Sequence, residues 1–417
     1  MSDVAAYRKM KDSKVQWLGD IPSTWNTRLL KYMFAIKKNI AGETGHQVLS
    51  VTQRGVVPKN MTERGQFALD YSKYQLVKAG DFVMNHMDLL TGWVDISKYD
   101  GVTSPDYRVF VNTDPAIFHS GYYKYIFQHC YTNRVFYGLG QGVAGFGRWR
   151  LPADIFMNFV LPVPPIAEQE RIAQVLDEQC GQIDAIIEEA KYSVAEYKKW
   201  RASIIFEAVT KGLNSSVEMK DSHIDWIGLV PSHWKLSRIK NELDNLDYLR
   251  EPISAEKREN ILGLYDYYGA SGAIDKIDDY NVDDKVLLIG EDGANLRMRN
   301  LPLVYRAEGK FWVNNHAHIL KVHDENCYGF VAYLLEAGDY NVFITGSAQP
   351  KLSQFNLMRF PIVMPPLAEQ QEIEAYLDRK CSAIDALIRE KEALLSELET
   401  YKRSLIFETV TGKRKVV

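Results

Sequence analysis

The sequence predicts an α+β protein: two globular domains of mixed α/β structure, separated by two long antiparallel coiled-coil helices in a pseudo-two-fold circular arrangement. Three observations lead to this prediction. The chain repeats itself, a long heptad pattern ends each copy of the repeat, and short strand-like runs fill the regions between. At 417 residues the chain also exceeds one ordinary hydrophobic core.

The internal repeat comes in two parts. Residues 151–212 align without a gap with residues 352–413 and pair PPIAEQERIAQVLD with PPLAEQQEIEAYLD. A shorter repeat lies earlier in each copy, KDSKVQWLGDIPSTW at 11–25 and KDSHIDWIGLVPSHW at 220–234, and we call these two stretches the tryptophan segments. The regions between them show no comparable similarity. The chain is therefore two copies of one plan with a variable middle.

Each copy ends in a pattern that predicts one long helix. Residues recur at alternating steps of four and three, as at the a and d positions of a coiled coil. The first seam is Leu176, Cys180, Ile183, Ile187, Ala190, Val194, Tyr197, Arg201, Ile204 and Ala208, and the second is Leu377, Cys381, Ile384, Ile388, Lys391, Leu395, Leu398, Lys402 and Leu405. About 45 residues make a rod of roughly 65 Å. Such a seam needs a partner, so we predict that the two helices pack on each other, antiparallel because a globular region returns the chain.

These patterns divide the chain into four segments. The helical segments are 162–213 and 363–417, and the globular domains are 1–161 and 214–362. The first domain has 19 cationic and 13 acidic side chains, a net +6, whereas the second has 16 and 22, a net −6. The charges of the two domains cancel, and the helical segments, with 6 cationic and 9 acidic side chains in 162–213 and 9 and 10 in 363–417, account for the overall charge of −4. One domain is basic and the other acidic, which argues against nucleic-acid binding by bulk charge in both.

Composition disfavours several other classes of protein. The first residues, MSDVAAYRKMKDS, lack the apolar stretch of a signal peptide, and no window reaches the roughly 18 apolar residues of a membrane helix. We therefore expect a cytoplasmic protein that binds no membrane. The four cysteines form no C-x-x-C pair, which disfavours a zinc ribbon and a disulfide framework.

The globular domains contain runs that predict strands: KAGDFVMNHMDLL, YRVFVN, KVLLIG, PLVYRAEGKFWVNNHAHILKV and NVFITG. GFVAYLLEAG, at 329–338, predicts a helix. In the fourth run, His316 and His318 share one face of the predicted strand. Two such imidazoles could begin a metal site, but no third ligand stands at a usual spacing, so we predict no metal site.

Glycine-containing loops come immediately before both helical segments. GQGVAGFGRWRL, at 140–151, and GSAQPKLS, at 346–353, offer backbone N–H groups and cations to an anion. Neither is a P-loop, because the GK[ST] ending is missing. A phosphate contact from Arg148, Arg150 or Lys351 and an ordinary structural turn remain equally open.

In the order of these motifs, the whole chain resembles the specificity subunit of type I restriction-modification enzymes. The resemblance is carried by both tryptophan segments, both PPxAEQ helices, SPDY at 104–107, EDGAN, WVNNHAH and GSAQPKLS. It implies that each globular domain is a target recognition domain, which reads one half of a bipartite, asymmetric DNA site. The helices would set the half-site spacing and dock two methyltransferase subunits, and motor-nuclease subunits could join them.

The resemblance also implies roles for the chain and its residues. The chain would catalyse nothing and hold no cofactor, since S-adenosylmethionine would belong to the methyltransferase, and ATP and Mg²⁺ to the motor-nuclease. The expected DNA contacts are Tyr107, Arg108, Arg148, Arg150, Arg297, Arg299, Asn315, His316, Gln349 and Lys351. The expected partner contacts are Ile166, Glu168, Gln169, Leu367, Glu369 and Gln370.

Three other interpretations remain open. A type II-like restriction-modification system shares the repeat architecture, and the methyltransferase partner would distinguish it. A metal-dependent nuclease could use the acidic turn IGEDGAN, at 289–295, with NNHAH, and would cleave plain DNA with Mg²⁺. A purely structural coiled-coil tether would show no DNA affinity even with partners present.

Overall fold

The structure is a computed structural model of the chain and describes residues 7–60, 70–142, 149–258 and 263–416. It divides into two compact units: the first unit is Met1–Ala190 with Ala393–Val417, and the second unit is Lys191–Glu392. Each unit holds one globular domain and parts of both helical segments. Mixed α/β structure in both units confirms the predicted fold class.

The elements up to the first long helix are mostly short strands. In chain order they are β1 (Met10–Asp12), β2 (Asp20–Pro22), β3 (Asn26–Leu29), β4 (Phe34–Lys37), β5 (Leu49–Thr52), β6 (Gly55–Pro58), β7 (Gln75–Val77), β8 (Phe82–Met84), β9 (Val94–Ile96), β10 (Gly101–Thr103), β11 (Arg108–Asn112), α1 (Ser120–Thr132), α2 (Ala153–Met157), β12 (Val160–Val163) and α3 (Ile166–Lys211).

The elements that follow repeat this pattern with longer strands. They are β13 (Met219–Asp221), β14 (Leu229–Pro231), β15 (Lys235–Arg238), α4 (Ile239–Glu242), β16 (Leu243–Asn245), α5 (Ala255–Arg258), β17 (Tyr265–Gly269), β18 (Gly272–Ile277), β19 (Val282–Gly290), α6 (Asn295–Met298), β20 (Val304–Val313), β21 (Ala317–Val322), α7 (Tyr328–Ala337), α8 (Gln354–Met358), β22 (Pro361–Met364) and α9 (Leu367–Val410).

The two units share one sheet topology. The sheet of the first unit has the order β4-β11-β8-β9, and every neighbouring pair is antiparallel. In the second unit, β16-β21-β19-β20 has the same order and directions, and β17 and β18 extend the sheet beyond β20. A helix follows the matching strands β11 and β21 in each unit. The variable middles, which lack sequence similarity, therefore carry the same core sheet.

The core of the first unit is rich in aromatic rings. Phe34, Phe82, Phe110 and Phe127 are fully buried, and the stacked pair Phe82–Phe110 has ring centroids 5.0 Å apart. Each such pair contributes about 0.5–1.5 kcal/mol beyond the burial of its area. The core of the second unit is mainly aliphatic, with Leu287, Ile289, Leu320, Phe330 and Leu334 among its buried residues. The two cores use different side chains to cover the same sheet.

Both tryptophan segments fold into the same small hairpin. β1 pairs with β2, and β13 pairs with β14. Lys14 and His223 both have positive φ, and each donates its backbone N–H over 2.8 Å to the carboxylate two residues earlier, Asp12 or Asp221. Local turn chemistry of this kind needs no distant partner, so the same sequence pattern gives the same structure twice.

The chain closes each globular domain with a pair of strands. β3 pairs with β12, and β15 pairs with β22, so the strand that leaves each tryptophan segment lies beside the strand that leads into a long helix. The predicted domain boundaries after residues 161 and 362 therefore fall inside β12 and β22. The helices themselves begin later, at Ile166 and Leu367.

The predicted helix pairing is confirmed within each unit. In the first unit, Ile183 and Ile187 of α3 lie in one apolar cluster with Leu395 and Leu405 of α9. In the second unit, the later part of α3 packs against the earlier part of α9, through Val194, Tyr197, Ile204, Ile384 and Ile388. Early α3 thus meets late α9, and late α3 meets early α9, as an antiparallel pair requires. No helix in the described ranges is both long and apolar enough to cross a membrane.

The charged positions of the seams form ion pairs. Lys402 Nζ lies 2.6 Å from Asp184 Oδ1 in the first unit. In the second unit, Arg201 Nε lies 2.8 Å from Asp385 Oδ1, outside hydrogen-bond geometry. These pairs occupy equivalent positions of the repeat, since Asp184 matches Asp385 and Arg201 matches Lys402. The interruptions at Arg201 and Lys402 are therefore neutralised by the facing helix.

Two strand predictions for the second unit are wrong. NVFITG, at 341–346, forms turns, and Val342 is 88% exposed. The long run at 302–322 forms two strands, β20 and β21, because the Asn314 side chain accepts a hydrogen bond from the backbone N–H of His316 (2.8 Å) and bends the chain. His316 therefore lies in a turn and His318 in β21, so they do not share one strand face.

Candidate nucleic-acid interface

The starts of the long helices hold the tryptophan segments. The indole N–H of Trp25 donates to Glu168 (2.9 Å), and the indole N–H of Trp234 donates to Glu369 (2.6 Å). Both tryptophans are almost fully buried. Tyr7 also donates to Glu168, while His233 lies 2.7 Å from Glu369. The two repeated parts of the sequence, the tryptophan segment and the start of the long helix, thus contact each other in each copy, which explains why they occur together.

The glutamines of the AEQ motifs also act within the chain. Gln169 accepts a hydrogen bond from the backbone N–H of His119, and Gln370 accepts one from Cys327, both over 2.8 Å. These are the N-cap positions of α1 and α7, whose backbone N–H groups need such acceptors. Both glutamines are buried.

Four of the predicted partner contacts therefore have structural roles. Glu168, Gln169, Glu369 and Gln370 tie each helix start to its own globular domain. The two glutamines are buried, whereas the two glutamates stay partly exposed, so partner contact by the glutamates stays a prediction. Leu367 is 40% exposed and Ile166 is half-buried, so partner contact by these two stays a prediction.

In the second unit, three loops that the sequence singled out lie side by side. The backbone N–H of Glu291 donates to the His316 carbonyl (2.8 Å), and the N–H of Leu352 donates to the Glu291 carbonyl (2.7 Å). The N–H of Gly293 donates to the Pro350 carbonyl (3.0 Å). EDGAN, NNHAH and QPKL thus form one surface, although about 60 residues of sequence separate the first from the last.

Polar side chains project from this surface. Asn315, His316, Gln349 and Lys351 are exposed, and so is Arg297 in the neighbouring helix α6. Such amide, imidazole and cationic groups can hydrogen-bond to base edges and phosphates. The structure therefore brings together five of the predicted DNA contacts, and their contact with DNA stays a prediction.

A network of charges lies beneath the exposed side chains. Lys351 Nζ is 2.9 Å from a Glu291 carboxylate oxygen, and Arg250 binds the same carboxylate. Arg250 also lies 3.2 Å from Asp247, whose carboxylate is 2.6 Å from Nδ1 of His318. His318 is fully buried, and its Nε2 lies 2.8 Å from the Leu352 carbonyl. In this unit, Lys351 and Arg250 therefore have carboxylate partners within the chain.

The same contacts set the pKa values of the two carboxylates. Burial by itself raises the pKa of Asp247, but the hydrogen bond from His318 outweighs it, and the net shift is downward. Burial likewise raises the pKa of Glu291, and hydrogen bonds from Lys351 and Arg250 lower it below its usual value. Both carboxylates are therefore held in the charged form.

Arg299 has a structural role that the sequence prediction missed. Its guanidinium donates to the backbone carbonyls of Glu336 and Gly338, at the C-terminal end of α7. Carbonyls at a helix end lack partners within the helix, and a cation there also complements the helix dipole. Arg299 is nevertheless exposed, so its contact with DNA stays a prediction.

In the first unit, Arg108 lies inside the core. Only 5% of its surface is exposed, its Nη2 donates to the Leu151 carbonyl (2.8 Å), and its guanidinium lies over the Phe156 ring. Burial lowers the pKa of Arg108 to about 10. Burial and then the charge of Arg108 lower the pKa of the neighbouring His86 to about 4. Arg108 therefore supports the loop before α3 from below, and direct DNA contact is not supported.

Two other predicted contacts of the first unit are accessible. Arg150 is exposed, and its backbone pairs with Gln141 through hydrogen bonds of 2.8 and 3.0 Å. Tyr107 and Trp149 help to line a cleft of about 650 Å³. DNA contact by Tyr107 and Arg150 stays a prediction. Arg148 lies outside the described residues.

The carboxylates of the acidic turn, which a metal-dependent nuclease would use as metal ligands, already have other partners. Its carboxylates, Glu291 and Asp292, are already paired with Lys351, Arg250 and His316. In the parts of the chain that the structure describes, no three His, Cys, Asp or Glu side chains converge closely enough to hold a metal ion.

Comparison with known proteins gives consistent relatives. Residues 231–399 match the family described as type I restriction modification DNA specificity domain. A putative type I restriction enzyme specificity subunit of Haemophilus influenzae is 33% identical over 35% of this chain and 36% of its own length. The putative type I restriction enzyme MjaX specificity subunit of Methanocaldococcus jannaschii is 20% identical over 98% of both chains.

A solved structure shares the fold. It is described as the structural basis underlying complex assembly and conformational transition of the type I R-M system. The similar chain in it is 14% identical, and the match covers 94% of this chain and 98% of that chain with a TM-score of 0.68. The predicted resemblance is thereby confirmed.

Proposed function

From its similarity to type I restriction-modification specificity subunits, we propose that this chain recognises DNA for a methyltransferase complex. Each globular domain reads one half of a bipartite, asymmetric site, and the paired helices set the distance between the half-sites. The chain itself catalyses nothing and holds no cofactor. S-adenosylmethionine is held by the methyltransferase, and ATP with Mg²⁺ by a motor-nuclease where one joins.

Two-part recognition is supported by one structural feature. Both units place an exposed cation, Arg150 or Lys351, at the same edge of the same sheet, where the next residue hydrogen-bonds to the chain just after β8 or β19. Arg150 of the first unit corresponds to Lys351 of the second, and the residues around them are unrelated in sequence. A shared scaffold with different surface residues suits two readers of different base sequences.

Docking of two identical partners is supported by the exposed sides of the helices. Ile186 and Tyr401, in the first unit, are 46% and 48% exposed. Leu387 and Trp200, in the second unit, are 39% and 50% exposed and stand at the equivalent positions of the repeat. Large apolar side chains that water can reach are frequent anchors of protein interfaces. Each unit thus offers the same anchors, as two copies of one methyltransferase subunit require.

The spacing role is tested by lengthening the helices. Four residues, TEAL, are inserted after Ile187 and also after Leu398, which packs in the same apolar cluster, so that the seam keeps its pairing. The insertion adds about one helical turn, roughly 6 Å. This is close to two base-pair rises of about 3.4 Å each. Methylation mapping in cells with the complete system should find both half-sequences unchanged and a spacer longer by one or two base pairs.

A control insertion separates spacing from general damage. The same four residues after Asp279, in the exposed turn between β18 and β19, should leave the spacer unchanged. An unchanged spacer in the helix variant would refute the ruler, whereas altered half-sequences would show that the globular domains had been disturbed.

The docking surface is tested by changing its anchors. Trp200→Ala combined with Leu387→Ala should reduce the partners bound per chain from two to one, measured by sedimentation of the purified complex. Tyr401→Ala with Ile186→Ala should have the same effect, and all four changes together should abolish binding. A complex that keeps both partners after all four changes would contradict this docking surface.

A further inference from the structure

The loops that precede the two long helices are built on equivalent contacts. Leu151 and Leu352 occupy the same position of the repeat. The N–H of Leu151 donates to the carbonyl of His86, which follows β8, and the N–H of Leu352 donates to the carbonyl of Glu291, which follows the matching strand β19. His86 and Glu291 are therefore counterparts, although no sequence similarity connects them.

A buried side chain supports each loop from the neighbouring strand. Arg108 of β11 donates to the Leu151 carbonyl, and His318 of β21 contacts the Leu352 carbonyl, both over 2.8 Å. β11 and β21 occupy the same place in the shared sheet order. Arg108 and His318 are thus a second pair of counterparts.

The two sites differ in their counter-charges. In the second unit, carboxylates of the chain face its cations: Glu291 pairs with Lys351 and Arg250, and Asp247 pairs with Arg250. In the first unit, a histidine stands in the place of Glu291. No carboxylate in the described ranges pairs with Arg108 or with Arg150, the counterpart of Lys351, and Nη1 of Arg108 lacks a hydrogen-bond partner.

The positive charges of Arg108 and Arg150 both act on the neighbouring His86. Its pKa is lowered by burial first, then by Arg108 and by Arg150, while Asp106 opposes them more weakly. A buried guanidinium without an anionic partner is costly, because water no longer solvates it. Among the described residues no carboxylate compensates the charge of Arg108, and the exposed Arg150 is the residue before Leu151, whose carbonyl Arg108 binds.

We propose that a DNA backbone phosphate is the counter-ion of Arg108 and Arg150 in the first unit, and that Glu291 takes the place of this phosphate in the second unit. Arg150 makes the contact at the surface, and Arg108 strengthens it from below. Lys351 makes no phosphate contact, since Glu291 occupies it. This inference rests on the proposed function, because it takes the ligand to be DNA.

The salt dependence of binding tests this difference. The chain is assembled with its methyltransferase partners, and its affinity for cognate and unrelated duplex DNA is measured across a range of NaCl concentrations. Each phosphate contact contributes about one unit to the slope of log K against log salt. Arg150→Gln should make the salt dependence shallower by about one unit of slope and weaken binding to both DNAs by similar factors. The matched variant Lys351→Gln should leave the slope unchanged.

An exchange of the counterparts provides the second test. His86→Glu places the carboxylate of the second unit into the first, so it should neutralise Arg150 and lower the slope by about one. Glu291→Gln frees Lys351 and should raise the slope by about one. Thermal melting and partner assembly identify any variant that fails to fold, and Arg150→Gln at an exposed position then decides the question.

The outcomes separate this inference from the proposed function. A lower slope for Lys351→Gln, an unchanged slope for Arg150→Gln, or a changed base preference with an unchanged slope would overturn the phosphate assignment while the complex still binds its site. If the assembled wild-type complex binds no DNA specifically, the proposed function itself fails.

Discussion

The two units place the same sheet and the same loop in opposite electrostatic settings. In the first unit, Arg108 and Arg150 stand without a carboxylate partner among the described residues. In the second, Asp247 and Glu291 are paired with cations of the same chain. The difference between the net charges of the two domains, +6 and −6, is thus also present locally at each candidate interface. One sheet scaffold can therefore present a cationic side chain either without a carboxylate partner or paired with one.

The parts that are repeated in sequence show no such contrast. The bonds from Trp25 to Glu168 and from Trp234 to Glu369 are alike, and so are the glutamine caps of α1 and α7. These contacts fasten the helices to the domains in both units. The repeated contacts are therefore constant, whereas the variable middles differ both in their cores and in their surfaces.

The largest expected difference concerns the buried side chains under the loops. His318→Ala leaves Asp247 charged and partly unpaired in the interior, which should lower the free energy of unfolding of the second unit by about 3–5 kcal/mol. Arg108→Met removes an unpaired charge and one hydrogen bond, so the first unit should lose only about 1 kcal/mol. Urea unfolding measures both. Equal losses would show that Arg108 has an internal counter-charge after all.

The next largest expected difference between the two units is in their stability at acid pH. His86 and His129 of the first unit have pKa values lowered to about 4, in both cases first by burial. Since the unfolded pKa is about 6.5, the unfolded chain binds more protons between these values. The first unit should therefore be fully stable above pH 6.5 and lose stability as the pH falls towards 4. The loss is at most about 3 kcal/mol per histidine, and less for His86, whose charge water partly screens.

The second unit should respond only at lower pH. Asp247 and Glu291 have lowered pKa values, so their contribution is complete above the unfolded carboxyl range and disappears as the pH falls through their folded values. Amide hydrogen exchange, followed separately for peptides of each unit between pH 7 and pH 4, checks this order. His86→Asn combined with His129→Asn should remove the early loss, and an early loss in the second unit would contradict the assignment.

Smaller and equal effects are expected at the two tryptophan bonds. Trp25→Phe and Trp234→Phe keep most of the buried ring but remove the N–H donor to Glu168 or Glu369. Each should cost about 1–2 kcal/mol, since a partly buried carboxylate loses one of its donors. Thermal unfolding should show the two costs within about 0.5 kcal/mol of each other. A much larger cost in one unit would mean that the repeated contacts are not equivalent.

The smallest effect concerns the ion pairs between the helices. A double-mutant cycle of Asp184 and Lys402, and another of Asp385 and Arg201, should each give a coupling of about 0.3–1 kcal/mol, because these side chains are partly exposed. Exchanging the charges, with Asp184→Lys and Lys402→Asp together, should restore most of the loss of either single change. Both couplings should weaken at high salt.

Sequence patterns predicted the helices well because their evidence is local and periodic. A seam such as Ile183, Ile187 and Ala190 repeats at a helical spacing, which a few consecutive turns of sequence reveal. The predicted strand through His316 failed because alternation was visible but the turn made by Asn314 was not recognised. The roles of Asp247, Arg250 and His86 had no sequence signal, since none of them lies in a repeated motif.

The sequence by itself determined the duplicated plan, the two paired helices and the loops that precede them, because repeats, heptads and glycine-containing turns are properties of neighbouring residues. Only the tertiary structure decided which cations are accessible. No local pattern around Arg108 or Arg150 tells a buried arginine from an exposed one, yet the first is buried under Leu151 and the second is exposed. Whether a charge has a partner depends on residues that are distant in sequence and close in space, as Lys351 and Glu291 are.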